Sequence, residues 1–432
     1  MALDTILDVI RPVSHSLRRF RDDRVLADEL RSFLCQSLAD FPWQLEVSDW
    51  TETHYTVGRG EEHWFGSPLR VRFKTPAPAR DLLRLDGLSV LEHFVRGELD
   101  LEDNLFLLAS IQNFAKLGMS PLRFASRVIV DKAFQDQRRA TTSVKSHYDI
   151  PQQVLDTYLD QVYKAYSCAM FENPDRMDLQ ESLRVGEGKS DDFDSLEKAQ
   201  WRKFKDAVDF IAPSNGDRMI DIGCGYGGQL VVALEEYPDT NVVGWTLSRN
   251  QVLEGRKMLA RFPVDRWELR EGDYRSDGSV YDHVMSTGMI SHVGPRGLVP
   301  YVKRVRSMIR DGGRYVHHAL MTPYSVLPLN FHIGTTFAKK YVWPGFHWFT
   351  VGEHVRALER NGFEVTRLTN LSPHYVKTAF AWYNRMVKHR EVMIRDLGEQ
   401  TYRAWQIYLA GSAGNMHHNR GIHVYRIYCQ AV

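Results

Sequence analysis

The pattern of apolar positions along the 432-residue chain changes period several times. Leu3, Ile6, Leu7, Val9 and Ile10 make a short apolar stretch stopped by Pro12, and Ser14 is placed to cap a longer helix. In that helix Leu26, Leu30, Phe33, Leu34 and Leu38 recur at helical spacing, with Arg18, Arg19, Arg21 and Arg24 crowding its start. Such a basic amphipathic segment rests on an anionic membrane surface or is the solvated face of a packed helix, and the pattern leaves both open. Over residues 43–75 the period drops to two. Leu69-Arg70-Val71-Arg72-Phe73-Lys74 alternates strictly and predicts a half-buried strand. Trp43 to Val47 and His54 to Val57 read similarly, Gly58, Gly60 and Gly66 punctuate them, and Pro76 and Pro78 end the strands. Leu82 to Phe114 turns helical, interrupted at Gly87 and Gly97. This predicts a small α+β module within residues 1–120. It holds no clustered catalytic groups, so binding is expected of it rather than chemistry; its apolar content suits an acyl chain and equally a plain core. Residues 121–145 are expected to connect it to a second domain, 146–432.

In that second domain strands alternate with helices. A helix from Phe204 to Ile211 leads through Pro213-Ser214-Asn215-Gly216 to an apolar strand, Met219 to Ile222. Asp221-Ile222-Gly223-Cys224-Gly225-Tyr226-Gly227-Gly228 follows, then a helical pattern carrying Leu230, Val231, Val232 and Leu234. Strand, glycine turn and helix make a unit that cradles a nucleotide: the glycines let the backbone bend tightly, and the helix N-terminus favours a negative group. Asn241 to Trp245 is the next strand; a third ends before Glu271-Gly272-Asp273-Tyr274, and Tyr281 to Ser286 is a fourth. Asp311-Gly312-Gly313 turns into a fifth, Arg314 to Leu320. The aromatic, proline-bearing stretch 321–350 fits no standard crossover and is expected to form a lid or substrate wall. Val351 to Asn361 reads as a helix, Phe363 to Leu368 as a strand, and Thr378 to Tyr408 as helical. His423 to Cys429 is expected to complete the sheet edge. The order predicts an α/β, Rossmann-like domain.

Composition narrows the class. The net charge is +1, so no whole-chain field draws nucleic acid. Cys35, Cys168, Cys224 and Cys429 are far apart, without metal-ligand spacing, which suits a reduced, cytoplasmic protein and predicts no metal. No apolar run approaches a membrane span, and no signal-peptide pattern is expected.

The D-x-G-x-G string with this strand order resembles an S-adenosylmethionine (SAM) methyltransferase; a dinucleotide dehydrogenase would offer G-x-G-x-x-G and an acidic residue where Thr246 stands. More strings sharpen the resemblance. They are Ser146-His147-Tyr148-Asp149, Ala165-Tyr166-Ser167-Cys168-Ala169-Met170-Phe171, Ser195-Leu196-Glu197-Lys198-Ala199-Gln200, and Gly288-Met289-Ile290-Ser291-His292-Val293-Gly294. With Thr246–Gln251, Ala381-Trp382-Tyr383 and Tyr408-Leu409-Ala410-Gly411-Ser412-Ala413-Gly414, their ordered set resembles the cyclopropane-fatty-acyl-phospholipid synthase family over 146–432. Val95-Arg96-Gly97-Glu98-Leu99-Asp100 resembles, more weakly, that family's N-terminal lipid-binding module.

The resemblance implies an enzyme at the inner face of the membrane, peripherally bound, that adds the SAM methyl group to a double bond in a phospholipid acyl chain. The resulting cation loses a proton, to bicarbonate, and closes a cyclopropane. It implies that Tyr166 and Ser167 meet the methionine end of SAM and that Asp221, Gly223 and Gly225 line its pocket. Thr246 and Gln251 would reach the ribose or amino-acid part, and Gly272, Asp273 and Tyr274 would flank the adenine. Bicarbonate would draw on Cys168, His318, the backbone of Leu320, and Tyr383. Of the neighbours His317 and His318 only one can face the pocket, because side chains alternate along a strand. Family members often self-associate, so a homodimer is an open expectation.

Three departures bear on chemistry. Ser291 stands where the family's G-x-F-E-H string has Glu, Ser412 where related enzymes often have Cys, and the segment Glu172 to Asp194 is longer than expected. Loss of the Glu leaves two outcomes open: unchanged ring closure at a rewired bicarbonate site, or a methyl-branched, methylene or methylated-diene product. Two further readings stay open, a small-molecule N- or C-methyltransferase and a catalytically inactive lipid-binding homologue.

Overall fold

The computed structural model describes residues 22–118, 150–322, 333–417 and 422–432. The expected helix around Leu3–Ile10, the Ser14 cap, residues 121–145 and the Ser146–Asp149 string lie outside the described residues.

A first helix, α1 (Asp23–Ser37), is capped by Asp22 and buries Leu26, Leu30 and Leu34. It precedes β1 (Leu45–Ser48), β2 (His54–Val57) and β3 (Leu69–Phe73), strands as read from their alternation, with β1 paired antiparallel to β2 and parallel to β3. Pro76 ends β3 and also opens α2 (Pro76–Leu83), whose N-terminus tolerates a missing N–H. Next comes α3 (Gly87–Arg96), stopped by Gly97 at φ +81°. The expected continuation as helix does not occur. Leu99–Asp103 is β4, which turns Leu99 and Leu101 inward with Asp100 between them and pairs antiparallel with β3. The small sheet has the order β2-β1-β3-β4, and α4 (Leu108–Phe114) follows it.

The larger sheet is approached through α5 (Gln152–Tyr158), α6 (Leu179–Leu183) and α7 (Leu196–Ile211), the last N-capped by Ser195. Then β5 (Arg218–Ile222), α8 (Gly228–Glu236), β6 (Asn241–Thr246), α9 (Arg249–Leu259), β7 (Trp267–Glu271) and β8 (His283–Thr287) alternate. They continue through α10 (Leu298–Ser307), β9 (Arg314–Met321), α11 (Ile333–Tyr341), α12 (Val351–Glu359) and β10 (Phe363–Asn370). Three helices replace the single helical stretch expected over Thr378–Tyr408: α13 (Ser372–Lys388), α14 (Arg390–Leu397) and α15 (Glu399–His417), with Gly398 at φ +82° between the last two. The chain ends in β11 (His423–Ala431).

The seven strands run in the order β10-β11-β9-β8-β5-β6-β7. Neighbours from β7 to β9 are parallel, and β11 is antiparallel to both β9 and β10. Thus β11 is an interior strand and β10 the edge, contrary to expectation; covered on both faces, β11 buries most of its residues. Strand order reverses between β5 and β8, which places a ligand crevice at their carboxyl ends.

One apolar cluster joins the small sheet to α13 and α15 of the larger unit, while the strands of the larger sheet pack mainly in two further clusters. Phe106, just after β4, packs 5.3 Å from Phe380 and 4.9 Å from Tyr383 of α13. Arg403 of α15 donates to Phe94 O (3.1 Å) and Leu99 O (3.3 Å) of the small-sheet module. None of the helices is long and apolar enough to cross a membrane, among the described residues.

Candidate functional site

The turn after β5 bends through three positive φ values, Gly223 (+79°), Gly225 (+56°) and Gly227 (+83°). A Cβ on Gly223 would come 2.9 Å from Met289 Cβ, whereas Gly225 faces open space. The turn delivers the backbone to the start of α8 and leaves a cavity of about 300 Å³ above it. Tyr166, Ser167, Asp221, Gly223, Gly225, Thr246 and Gln251 all line this cavity. A second cavity of about 220 Å³ shares the wall made by Gly223, Thr246, Leu247, Met289 and His292, and is lined by Gly272, Asp273 and Tyr274. All ten residues assigned to the cofactor from sequence therefore border one two-lobed space at the carboxyl ends of β5, β6 and β7.

Its walls differ in polarity. Asp221 is almost wholly buried, and its Oδ1 has no hydrogen-bond partner among the described residues. Burial pushes its carboxyl up to about 7, against the opposing pull of Lys203. Ser167 accepts a 2.7 Å hydrogen bond from Lys203 Nζ. Thr246 Oγ1 donates to Gln251 Oε1 at 2.5 Å. In the second lobe Asp273 caps the following turn and pairs with Arg275; burial would raise its carboxyl, but these bonds hold it below the usual range. Tyr274 packs edge-on to Tyr301, with ring centroids 6.1 Å apart. The space fits SAM: an unpaired carboxylate oxygen suits the ammonium of its amino-acid end, and the aromatic lobe suits a flat base.

A third, mostly apolar cavity of about 250 Å³ lies between the small sheet and the helices of the larger unit. Val47, Val71, Phe73, Leu101 and Ile111 line it from one side, and Leu320, Tyr375, Tyr408 and Ser412 from the other. An aromatic layer parts it from the glycine-turn cavity. Tyr166, in the wall of the latter, lies 5.4 Å from Trp343, which lies 6.1 Å from Tyr408 in the wall of the former.

The residues assigned to proton removal divide. Leu320 and Ser412 border the apolar cavity; Cys168, Ser291, His318 and Tyr383 border none of these three spaces. Cys168 is buried, its thiol pushed up to about 12 by burial, which suits an inert side chain. Ser291 Oγ and His318 Nδ1 are buried without partners among the described residues. Burial holds His318 well below the usual histidine range, and Arg426 and Lys203 push it the same way. His317 faces the other side of β9, bonded to Tyr315 (2.7 Å) and His354 (2.9 Å). Tyr383 is turned toward Phe106 of the small-sheet module, so the structure does not bring it to the cavities; the phenol that α13 delivers there is Tyr375. Sequence reasoning missed Tyr375, and the sequence carries no signal for it, because packing decides which face of α13 meets the cavity. It also missed Glu271, Met289 and His292 in the cofactor walls.

The protein-family model of mycolic acid cyclopropane synthetase matches residues 135–427. A probable fatty acid methyltransferase of Pseudomonas putida is 29% identical over 325 residues, 74% of this chain and 76% of that one. The sphingolipid C9-methyltransferase of Candida albicans is 31% identical over 232 residues, 51% of this chain and 44% of that one. The crystal structure of mycolic acid cyclopropane synthase CmaA1 complexed with SAH and CTAB superposes with a TM-score of 0.59 at 25% identity, over 67% of this chain and 98% of that one. The chain belongs to the mycolic acid cyclopropane synthetase family and is a SAM-dependent methyltransferase.

Proposed function

We propose that this enzyme methylates a carbon–carbon double bond in a phospholipid acyl chain, and that the chain lies in the apolar cavity. The observation carrying this reading is that one aromatic layer, Tyr166, Trp343 and Tyr408, is all that parts the apolar cavity from the two-lobed one, so a shift of these rings brings a chain in the one against the methyl donor in the other. An alkene is a weak nucleophile, so the site must hold it against the methyl donor and keep water away. SAM supplies the electrophilic methyl group. Asp221, Ser167 and Gln251 hold its amino-acid and ribose end, and Gly272, Asp273 and Tyr274 flank its base. The ring faces of the aromatic layer stabilise positive charge developing on the acyl chain. Residues 1–120 then act as the lipid-binding unit and 146–432 as the catalytic one, working peripherally on the inner membrane face.

Bicarbonate would be held by the orphaned Ser291 hydroxyl and His318 Nδ1 and would supply a proton acceptor once their surroundings open to the acyl cavity, which neither residue borders. Without the family's Glu, that acceptor is poorly organised, and general-base help is worth on the order of 10²–10⁴ in rate. The proposed product is therefore a chain that keeps the whole methyl group: the sulfonium leaves as S-adenosylhomocysteine, the chain carbon next to the cation loses the proton to that acceptor, and a methyl-branched alkene remains.

Mass spectrometry of lipids from cells with and without the protein, fed methyl-deuterated methionine, tests both parts. Three deuteriums retained per added carbon are expected. Two would overturn the product reading and mean a cyclopropane or methylene. No labelled lipid would overturn the lipid reading in favour of a small-molecule substrate or an inactive protein.

A further inference from the structure

Lys203 is wholly buried on α7, although lysine is among the residues least often found there. Among the described residues its ammonium is given to Ser167 Oγ, at 2.7 Å, and to no carboxylate. One turn earlier on the same helix, Gln200 Nε2 donates to the carbonyl of Ser167 at 2.9 Å. Two side chains three residues apart on one helix face thus grip both the backbone and the hydroxyl of one residue in the cofactor wall. An ammonium has three donors and no acceptor. Ser167 Oγ must therefore accept from Lys203, which frees its own hydrogen to point elsewhere, and Ser167 borders the cavity.

We propose that Lys203 is a positioning residue that makes Ser167 a charge-assisted donor to the carboxylate of SAM. This rests on the reading that the Ser167 end of the cavity takes the amino-acid end of the cofactor. The arrangement divides that end by charge: Asp221 with its free oxygen receives the ammonium, and the Lys203–Ser167 pair receives the carboxylate. Burial of an ammonium is costly unless its charge is answered. Asp160, Asp221, Cys168 and Arg426 all act electrostatically on Lys203, and burial depresses its basicity. Asp160 is already occupied, accepting N–H groups from Tyr163 (2.6 Å) and Ala165 (2.6 Å). Besides Ser167, the Phe204 ring face lies 3.7 Å from the Lys203 ammonium, and a bound carboxylate beyond Ser167 adds the full opposite charge that neither supplies.

The test compares binding of SAM with that of decarboxylated SAM, which keeps the nucleoside, sulfonium and amine and lacks only the carboxylate. Calorimetry on the full chain without lipid reads affinity, not turnover. Lys203→Met is expected to weaken SAM about ten- to hundredfold, the range for a hydrogen bond to a charged group, and decarboxylated SAM less than about twofold. Ser167→Ala should do the same, and the double variant should be no worse than either alone. Lys203→Gln keeps an N–H for Ser167 and is expected to lose less; it carries the comparison should Lys203→Met fail to fold. Equal losses for the two ligands would mean a merely structural lysine and overturn the proposal, as would no loss. Gln251→Ala checks the underlying reading separately: it should weaken both ligands, and if it weakens neither, the cavity assignment fails whatever Lys203 does.

Discussion

Tyr375 and Tyr383 share one helix, α13, yet serve different compartments: Tyr375 borders the apolar cavity, and Tyr383 packs against Phe106 of the small-sheet module. Eight residues of α-helix leave the two side chains about 80° apart around the axis. Tyr375 also bonds to Tyr408 of the aromatic layer, whereas Tyr383 bonds to Gln406. Tyr375→Phe should lower kcat for lipid about tenfold or more, with SAM affinity unchanged. Tyr383→Phe should cost about 1 kcal/mol of stability and leave kcat intact. Steady-state kinetics and denaturant titration of both variants decide this, and the reverse assignment would restore Tyr383 to the chemistry.

Asp221 sets a pH dependence. Burial raises its carboxyl from 3.8 to about 7, so the stability it contributes is complete below pH 3.8 and is lost as pH rises through about 7. The apoprotein is then holding a buried carboxylate. An ammonium bound beside it favours that charged form, so SAM affinity should rise with pH between about 6 and 8. Burial raises Asp160 in both proteins alike, whereas Lys203, lowered by burial, is held up in part by Asp221 and falls further in Asp221→Asn. The difference between the two proteins therefore reports Asp221 together with its coupling to Lys203. Asp221→Asn should bind more weakly at pH 8, lose this slope, and melt higher than the wild type as apoprotein at that pH. Parallel slopes in the two proteins would remove Asp221 from cofactor binding.

How much of this was legible depends on what each residue answers to. β5, β6, β8 and β9 are readable because strands covered on both faces are near-continuous apolar runs, whereas the edge strand β7 alternates and is marked chiefly by the Gly272 that follows it. The cofactor wall is readable because its glycines and Asp221 sit in one contiguous string. β4 is not, since Leu99 and Leu101 follow Gly97 without breaking the preceding apolar helical spacing; only pairing with β3 decides it. The position of β11 between β9 and β10 is likewise decided by pairing, to which periodicity is blind. Lys203 looks like any surface lysine until α7 packs against Ser167. Tyr383 and Tyr375 differ in helical phase against a neighbour that the sequence does not display.

The apolar cavity gives a prediction about substrate. Ile111 of α4 lines it, on the side away from the cofactor walls. Ile111→Trp would fill space that the acyl chain is proposed to use, at an overpacking cost of about 1–3 kcal/mol. Activity on phospholipid should fall about tenfold or more, with shorter chains less affected, while SAM binding by calorimetry stays within about twofold. Unchanged kinetics across chain lengths would place the acyl chain elsewhere.

Ser291 gives the last. Its hydroxyl is buried and unpartnered among the described residues, in the turn Met289–His292 that follows β8. Ser291→Glu returns the carboxyl that the resemblance leads one to expect there. A buried carboxyl with no partner takes up a proton rather than stay charged, so the variant should be less stable and its effect should grow as pH rises. Where ionised, the new group would organise the acceptor that removes a proton from the added methyl. Labelled lipid should then shift from three retained deuteriums toward two, the shift being larger at pH 8 than at pH 6. A folded variant with an unaltered label ratio at both pH values would mean that residue 291 does not choose the product, and the departure at this position would lose its chemical meaning.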